Sequence, residues 1–186
     1  MIFAVGGGDP THELIYLLEN ELTRLRIENW LHRDLFSYQW WLLLAALIIP
    51  WLIWWKWVNK TKLIEITLFG TIVFIIAFFL DATMSEMGLW EYNFYVVPYW
   101  PRLITADFSI IPVTYMFIYQ YFQQWRNFLT AMLGISIFFA FVGEPLLVWL
   151  NIYTLHKWQH AYSLPIYFGM AVLVKYLTQL IIDHNE

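Results

Sequence analysis

The stretch WWLLLAALIIPWLIWWKW, residues 40–57, carries a single charge, Lys56, close to its end. A helix rising about 1.5 Å per residue needs roughly twenty mostly apolar residues to cross a hydrocarbon core of about 30 Å, so this run reads as a membrane span. Its tryptophans support the same boundaries independently of hydropathy. Trp40 and Trp41 mark one end and Trp54, Trp55 and Trp57 the other, where the indole ring finds an apolar environment and its N–H finds water.

Four further apolar runs follow, at residues 64–82, 103–122, 128–150 and 163–182, and Trp125, Trp149 and Trp158 bracket the fourth span and its exit loop. The expected fold is an all-α integral membrane bundle of five transmembrane helices preceded by an N-terminal amphipathic helix. Residues 1–36 form the tail and that helix; residues 37–186 form a single membrane domain. Apart from residues 83–102 the connections are short, which leaves no room for a separate soluble domain.

Composition agrees. Of 186 residues, 61% are hydrophobic and 13% charged, with a mean hydropathy of +0.57, against about 45–50% and about 25% for a soluble domain. A net charge of −4 excludes a nucleic-acid partner, which needs a basic face. The absence of cysteine removes disulfides, thiolate catalysis and cysteine-based zinc sites. No basic segment leads into a short apolar stretch at the N-terminus, so the first span is expected to direct insertion. Lys56, Lys60 and Lys62 follow the first span and Arg126 the third, against only Arg102 and Lys157 in the facing loops. The positive-inside rule then places the N-terminus outside and the C-terminus in the cytoplasm of a bacterial cell membrane. Arg24, Arg26 and Arg33 fall on the outer side in this arrangement, offset by five acids within residues 13–34.

Residues 6–8, GGG, lack the spacing of a phosphate loop and read as a tether. Asp9-Pro10 supplies an N-cap and a first-turn proline, and Ile15, Leu18, Leu22 and Leu25 recur at helical spacing. Residues 10–36 are therefore expected to form a helix lying in the interface or against the bundle, with partner docking as the second reading. Residues 83–101 are too polar to span and too aromatic for a free loop. They are expected to form a lid at the outer headgroup level, with Trp90, Tyr92 and Trp100 covering Asp81 and Asp107. An aromatic ligand cage is the alternative.

The order WWLLL, Asp81 then GLWEY, Asp107 with Pro112 and YMFIYQYF, FVGEP, and IYTLHKWQHAYSLPIY resembles an uncharacterised family of small multi-pass membrane proteins of spore-forming Firmicutes, from about residue 36 onward. The resemblance implies an inner-membrane location and no defined activity. A partial resemblance to the lycopene cyclase domain also exists, in an acid, a G-x-W-Y-like segment and a proline-led helix in the same order. That helix carries paired glutamates in the cyclase domain where this chain has Pro112-Val113-Thr114-Tyr115, so the resemblance implies architecture and not cyclase chemistry.

Ionisable groups at membrane depth cost about 2.5–3.5 kcal/mol each on insertion scales, so their positions carry the functional information. Asp81 ends the second span, Asp107 begins the third, and Glu144 lies inside the outer end of the fourth, between Gly143 and Pro145. Together they sketch an outer acidic layer that holds a proton or a cation. Toward the inner side lie Gln120, Gln123, Lys175, Thr178 and Gln179. Antiparallel fourth and fifth spans bring Glu144 toward Lys175, and these two are expected to pair. The alternative turns Glu144 toward Asp81 and Asp107 and leaves Lys175 to Gln120 or Glu65. His156 and His160 stand four apart, a weak metal signal with no third ligand. No serine lies in a nucleophile-elbow context.

Asp81, Asp107, Glu144, Lys175, Trp90, Tyr92 and Gln120 are thus the candidate binding residues, with no metal and no cofactor. The best reading is binding or transport of a small solute, cation or proton through an outer-facing acidic cavity. The alternatives are an intramembrane enzyme acting on an isoprenoid or other lipid, with Glu144 or Asp107 as general acid, and a structural subunit docking another membrane protein. The expected partners are accordingly the lipid bilayer, a small solute or lipid, and another membrane protein.

Overall fold

The computed structural model describes residues 9–99 and 103–184. The glycine tether, Trp100 of the expected lid and Arg102 lie outside the described residues.

Among the described residues, four helices are long and apolar enough to cross a membrane: Tyr38–Trp57, Lys60–Glu86, Trp125–Trp149 and His160–Asp183. Numbered along the chain, α1 is Pro10–Asn29, α2 Tyr38–Trp57, α3 Leu63–Glu86, α4 Ile111–Tyr121, α5 Trp125–Phe138, α6 Glu144–Trp149 and α7 His160–Asp183. The expected span at 103–122 does not join the four. It is the 11-residue α4 behind a wide helical turn, Thr105–Ile110, that carries Thr105, Asp107 and Ser109.

Local chemistry sets the helix ends. Asp9 caps α1, its side chain accepting from the Thr11 amide at 3.1 Å, with Pro10 at the first helical position. Ser37 caps α2 by accepting from the Trp40 amide at 3.1 Å. The Asn59 side chain accepts from the Thr61 amide at 3.0 Å in the short turn between α2 and α3. None of the residues of α1 is buried, so the helix does not pack into the bundle. It passes into a wide turn, Trp30–Asp34, before α2 begins.

Two of the wide turns share one design. In Thr105–Ile110 the Ile111 amide reaches back five residues to the Ala106 carbonyl, and Pro112 follows. In Phe139–Gly143 the Glu144 amide reaches back five residues to the Phe139 carbonyl, and Pro145 follows. A proline has no N–H to donate and disfavours α geometry in the residue before it. Widening the preceding turn lets the chain enter the proline without breaking the helix, as inserted π turns do.

The residues after α3 form more than an interfacial loop. Gly88, at φ 69°, turns the chain in a conformation that suits glycine. Strand β1, Trp90–Tyr92, then pairs antiparallel with β2, Tyr153–Leu155, from the connection that follows α6. The Trp30 and Trp40 indole N–H groups donate to the Val96 carbonyl at 3.2 and 3.0 Å, strapping the lid to the start of the bundle.

The main core lies among α3, α4, α5 and α7. Phe69, Val73, Tyr115, Met116, Phe128, Met132, Ala171 and Val174 are all buried there, and Phe69 stacks on Tyr119 at 4.3 Å. Gly70 permits the close approach of α3 and α4, because a Cβ at that position would overlap the Met116 side chain. Gly70→Val should therefore lower stability by about 1–3 kcal/mol through overpacking, read as a lower thermal midpoint in detergent. Adding Met116→Ala to that variant should restore part of the loss; no restoration would contradict this packing.

Candidate functional site

The lid and the two wide turns bring three acids onto one cavity. Asp81, Asp107 and Glu144 line it together with Trp90, Tyr92, Tyr153, Trp158 and Tyr167, around a volume of about 100 Å³. All three acids are buried. No lysine or arginine lines it among the described residues.

Each acid is placed by a different element. Asp81 sits five residues before the end of α3. Its Oδ1 accepts from the Trp90 indole N–H at 3.0 Å and from the Tyr92 hydroxyl at 2.6 Å. Both donors come from one strand face because side chains in a strand alternate with period two. Trp90 and Tyr92 point down, while Glu91 between them is exposed and faces His156 at 3.4 Å. Burial first, and the Asp81 charge second, push the Tyr92 phenol well above its ordinary value, so it stays a donor.

Asp107, on the wide turn before α4, lines the same cavity as Asp81. Glu144 opens α6. Its Oε2 lies 2.8 Å from His160 Nδ1 and its Oε1 accepts from the Tyr167 hydroxyl at 3.0 Å. Across the cavity, burial followed by the Glu144 and Asp81 charges raises the Tyr153 phenol.

The expected Glu144–Lys175 pair does not form. Glu144 is bonded to His160 and Tyr167 on the N-terminal part of α7 and joins the acidic layer. Lys175 is 1% exposed, and its amine donates to the Gln123 carbonyl at 2.7 Å and the Phe122 carbonyl at 3.4 Å. Its charge faces the Phe128 ring at 4.1 Å and the Trp125 ring at 4.9 Å. The helix break between α4 and α5 leaves carbonyls without helical donors, and these carbonyls take the ammonium that a carboxylate was expected to hold.

Gln120 also lies away from the cavity. Its Oε1 accepts from the Asn59 amide at 2.8 Å and its Nε2 donates to the Trp57 carbonyl at 3.2 Å, closing the end of α2. His156 and His160 do not share a helical face: His156 follows β2 and pairs with Glu91, whereas His160 begins α7 and pairs with Glu144. Among the described residues no group of three or more histidines, cysteines or acids converges to hold a metal ion. The Ser163 hydroxyl accepts from the Trp158 indole at 2.9 Å.

Inward, the cavity ends on Ala77, Ile111 and Met170, which belong to the buried core. Beyond that core lies a second pocket of about 240 Å³, lined by Lys62, Glu65, Tyr119, Gln123, Lys175 and Gln179, where the Tyr119 hydroxyl donates to Glu65 at 2.6 Å. The side chains between the two are packed.

Asp81→Leu should release the lid by stranding two donors, each at a cost of about 1–3 kcal/mol. Limited proteolysis should then cut within residues 87–99 several-fold faster than in the unaltered protein, while Asp81→Asn, whose amide oxygen still accepts, should stay close to it. Equal cutting of all three would sever the lid from Asp81. Comparison with protein-family models, curated proteins and solved structures gives no match to this chain.

Proposed function

We propose that the protein is a multi-pass membrane protein that binds a small cation, of the ammonium or methylammonium class, in the outer acidic cavity. The observation carrying this reading is that three buried carboxyl groups and five aromatic rings surround one cavity with no lysine or arginine on its described lining. Carboxylates favour positive charge, and aromatic faces add about 0.5–2 kcal/mol for a cation placed over them. The acids already hold hydrogen-bond donors and do not converge as a metal shell, which favours a soft organic cation over a metal ion.

The packed core below the cavity supports a site open on one side in place of an open channel. In this reading the lysines after α2 lie in the cytoplasm, the N-terminus and the aromatic lid lie outside in a bacterial cell membrane, and the short α4 with its wide turn completes a fifth pass shielded by its neighbours.

Titration calorimetry of the detergent-solubilised protein with methylammonium should show saturable binding, at least tenfold weaker in Asp107→Asn. Absence of binding to any small ammonium ion, or unchanged affinity in that variant, would refute the reading.

A further inference from the structure

We propose that the end of the bundle opposite the acidic cavity binds an anionic phospholipid, with its phosphodiester at Lys62, an acyl chain in a groove between α3 and α7, and its headgroup in the polar pocket beside Lys175. This is a second site, and it stands or falls apart from the cation reading above.

The groove lies where α3 begins and α7 ends. α3 starts at Leu63 and α7 stops at Asp183, and the two helices pack against each other. Leu63, Ile64 and Leu68 line the groove from α3, and Ile181 and Ile182 line it from α7. Ile64 is 87% exposed and Ile181 43%. On helices long and apolar enough to cross a membrane, such side chains face lipid, and a groove between them offers a hydrocarbon chain more contact than a flat helix face does.

Charge decides which lipid fits. Lys62 and Glu65 line both this groove and the polar pocket that holds Tyr119, Gln123, Lys175 and Gln179, so the two spaces meet at these side chains. Lys62, half-buried and one residue before α3, therefore stands where apolar walls give way to polar ones. A phospholipid makes the same change at its phosphate. Within the pocket Lys175 adds a second ammonium, which has three N–H donors. The Gln123 and Phe122 carbonyls accept from it, which leaves donor capacity for an oxygen in the pocket. The Gln179 Oε1 accepts from the Trp125 indole at 3.0 Å, leaving its NH2 group to donate. Glu65 is the opposing charge on the described lining, and its Oε1 already accepts from the Tyr119 hydroxyl at 2.6 Å. Lys60 also lines the groove, with its amine held by the Trp55 carbonyl at 2.7 Å. Lysines on this lining outnumber the carboxylate, and basic pockets between transmembrane helices take anionic headgroups. The amides and the Glu65 carboxylate suit a hydroxylated headgroup such as glycerol.

The test compares lipids that differ only in the headgroup. Native mass spectrometry of the detergent-solubilised protein, titrated with dioctanoyl phosphatidylglycerol, should show one saturable lipid per chain. Dioctanoyl phosphatidylcholine should bind at least about fivefold more weakly, and Lys62→Gln should weaken phosphatidylglycerol by about the same factor while leaving phosphatidylcholine unchanged. Without lipid, the thermal midpoint of K62Q should stay within about 2 °C of the unaltered protein, because the side chain lies outside the packed core. Ile64→Glu, at a site already exposed, puts a charge in the acyl groove and should also weaken phosphatidylglycerol; it carries the test if K62Q does not fold. Glycerol 3-phosphate in large excess should fail to displace the lipid. Equal binding of the two lipids, or unchanged phosphatidylglycerol affinity in a folded variant, overturns the site, since lipid adhering to the bundle at large reads neither a headgroup nor one side chain. Displacement by glycerol 3-phosphate overturns it in favour of a soluble anion. Methylammonium binding at the other end of the bundle decides neither outcome, so the two readings fail separately.

Discussion

The structure depends on the cost of keeping carboxyl groups out of water. An ionised acid buried without donors is more expensive than any single packing contact can offset, so each of Asp81, Asp107 and Glu144 has to be surrounded before the bundle is stable. Much of what distinguishes this chain from a plain apolar bundle serves that need. The lid is a strand because a strand delivers Trp90 and Tyr92 to the same carboxylate oxygen. The connection after α6 pairs with it because the strand's backbone groups need partners of their own, and this pairing lays Tyr153 against Tyr92 at 5.4 Å. The widened turns before Pro112 and Pro145 hold Asp107 and Glu144 on helix segments that turn toward the same space.

The same economy explains the lower half of the molecule. Lys175 is buried without a carboxylate, and its charge is met by two carbonyls and by aromatic faces. Between that ammonium and the acids above lies a packed layer that includes Tyr115, Met116 and Met132. Tyr115 donates its hydroxyl to the Tyr167 carbonyl at 2.8 Å, tying the cavity wall to the layer beneath it. Any motion that moved a solute inward would have to displace this layer. Methionine is the most adaptable of core side chains, and Met116 lies against the one glycine that lets α3 and α4 approach so closely.

Long apolar runs, two of them with tryptophan ends, announced the four long helices, because hydropathy and interfacial anchoring act residue by residue and need no partner. The acidic layer was legible for the same reason: Asp81, Asp107 and Glu144 stand out wherever apolar residues surround them. Partner choice was not legible. Depth alone brought Glu144 toward Lys175, but rotation about α7 and the open carbonyls after α4 decided otherwise, and neither is encoded in spacing. His160 was grouped with His156 as a four-residue pair, although the boundary between β2 and α7 falls between them. The strands are three residues each, too short for a periodicity to show. The alternation of Trp90, Glu91 and Tyr92 was the available signal, and the carboxylate of Asp81 was the reason to look for it.

Infrared difference spectroscopy on the reconstituted protein tests the central claim most directly, since it reads the carboxyl groups themselves. Methylammonium should shift the carboxyl bands of the cavity acids, and Asp107→Asn should diminish the shift. A spectrum in which the cation leaves every carboxyl band untouched would contradict the account.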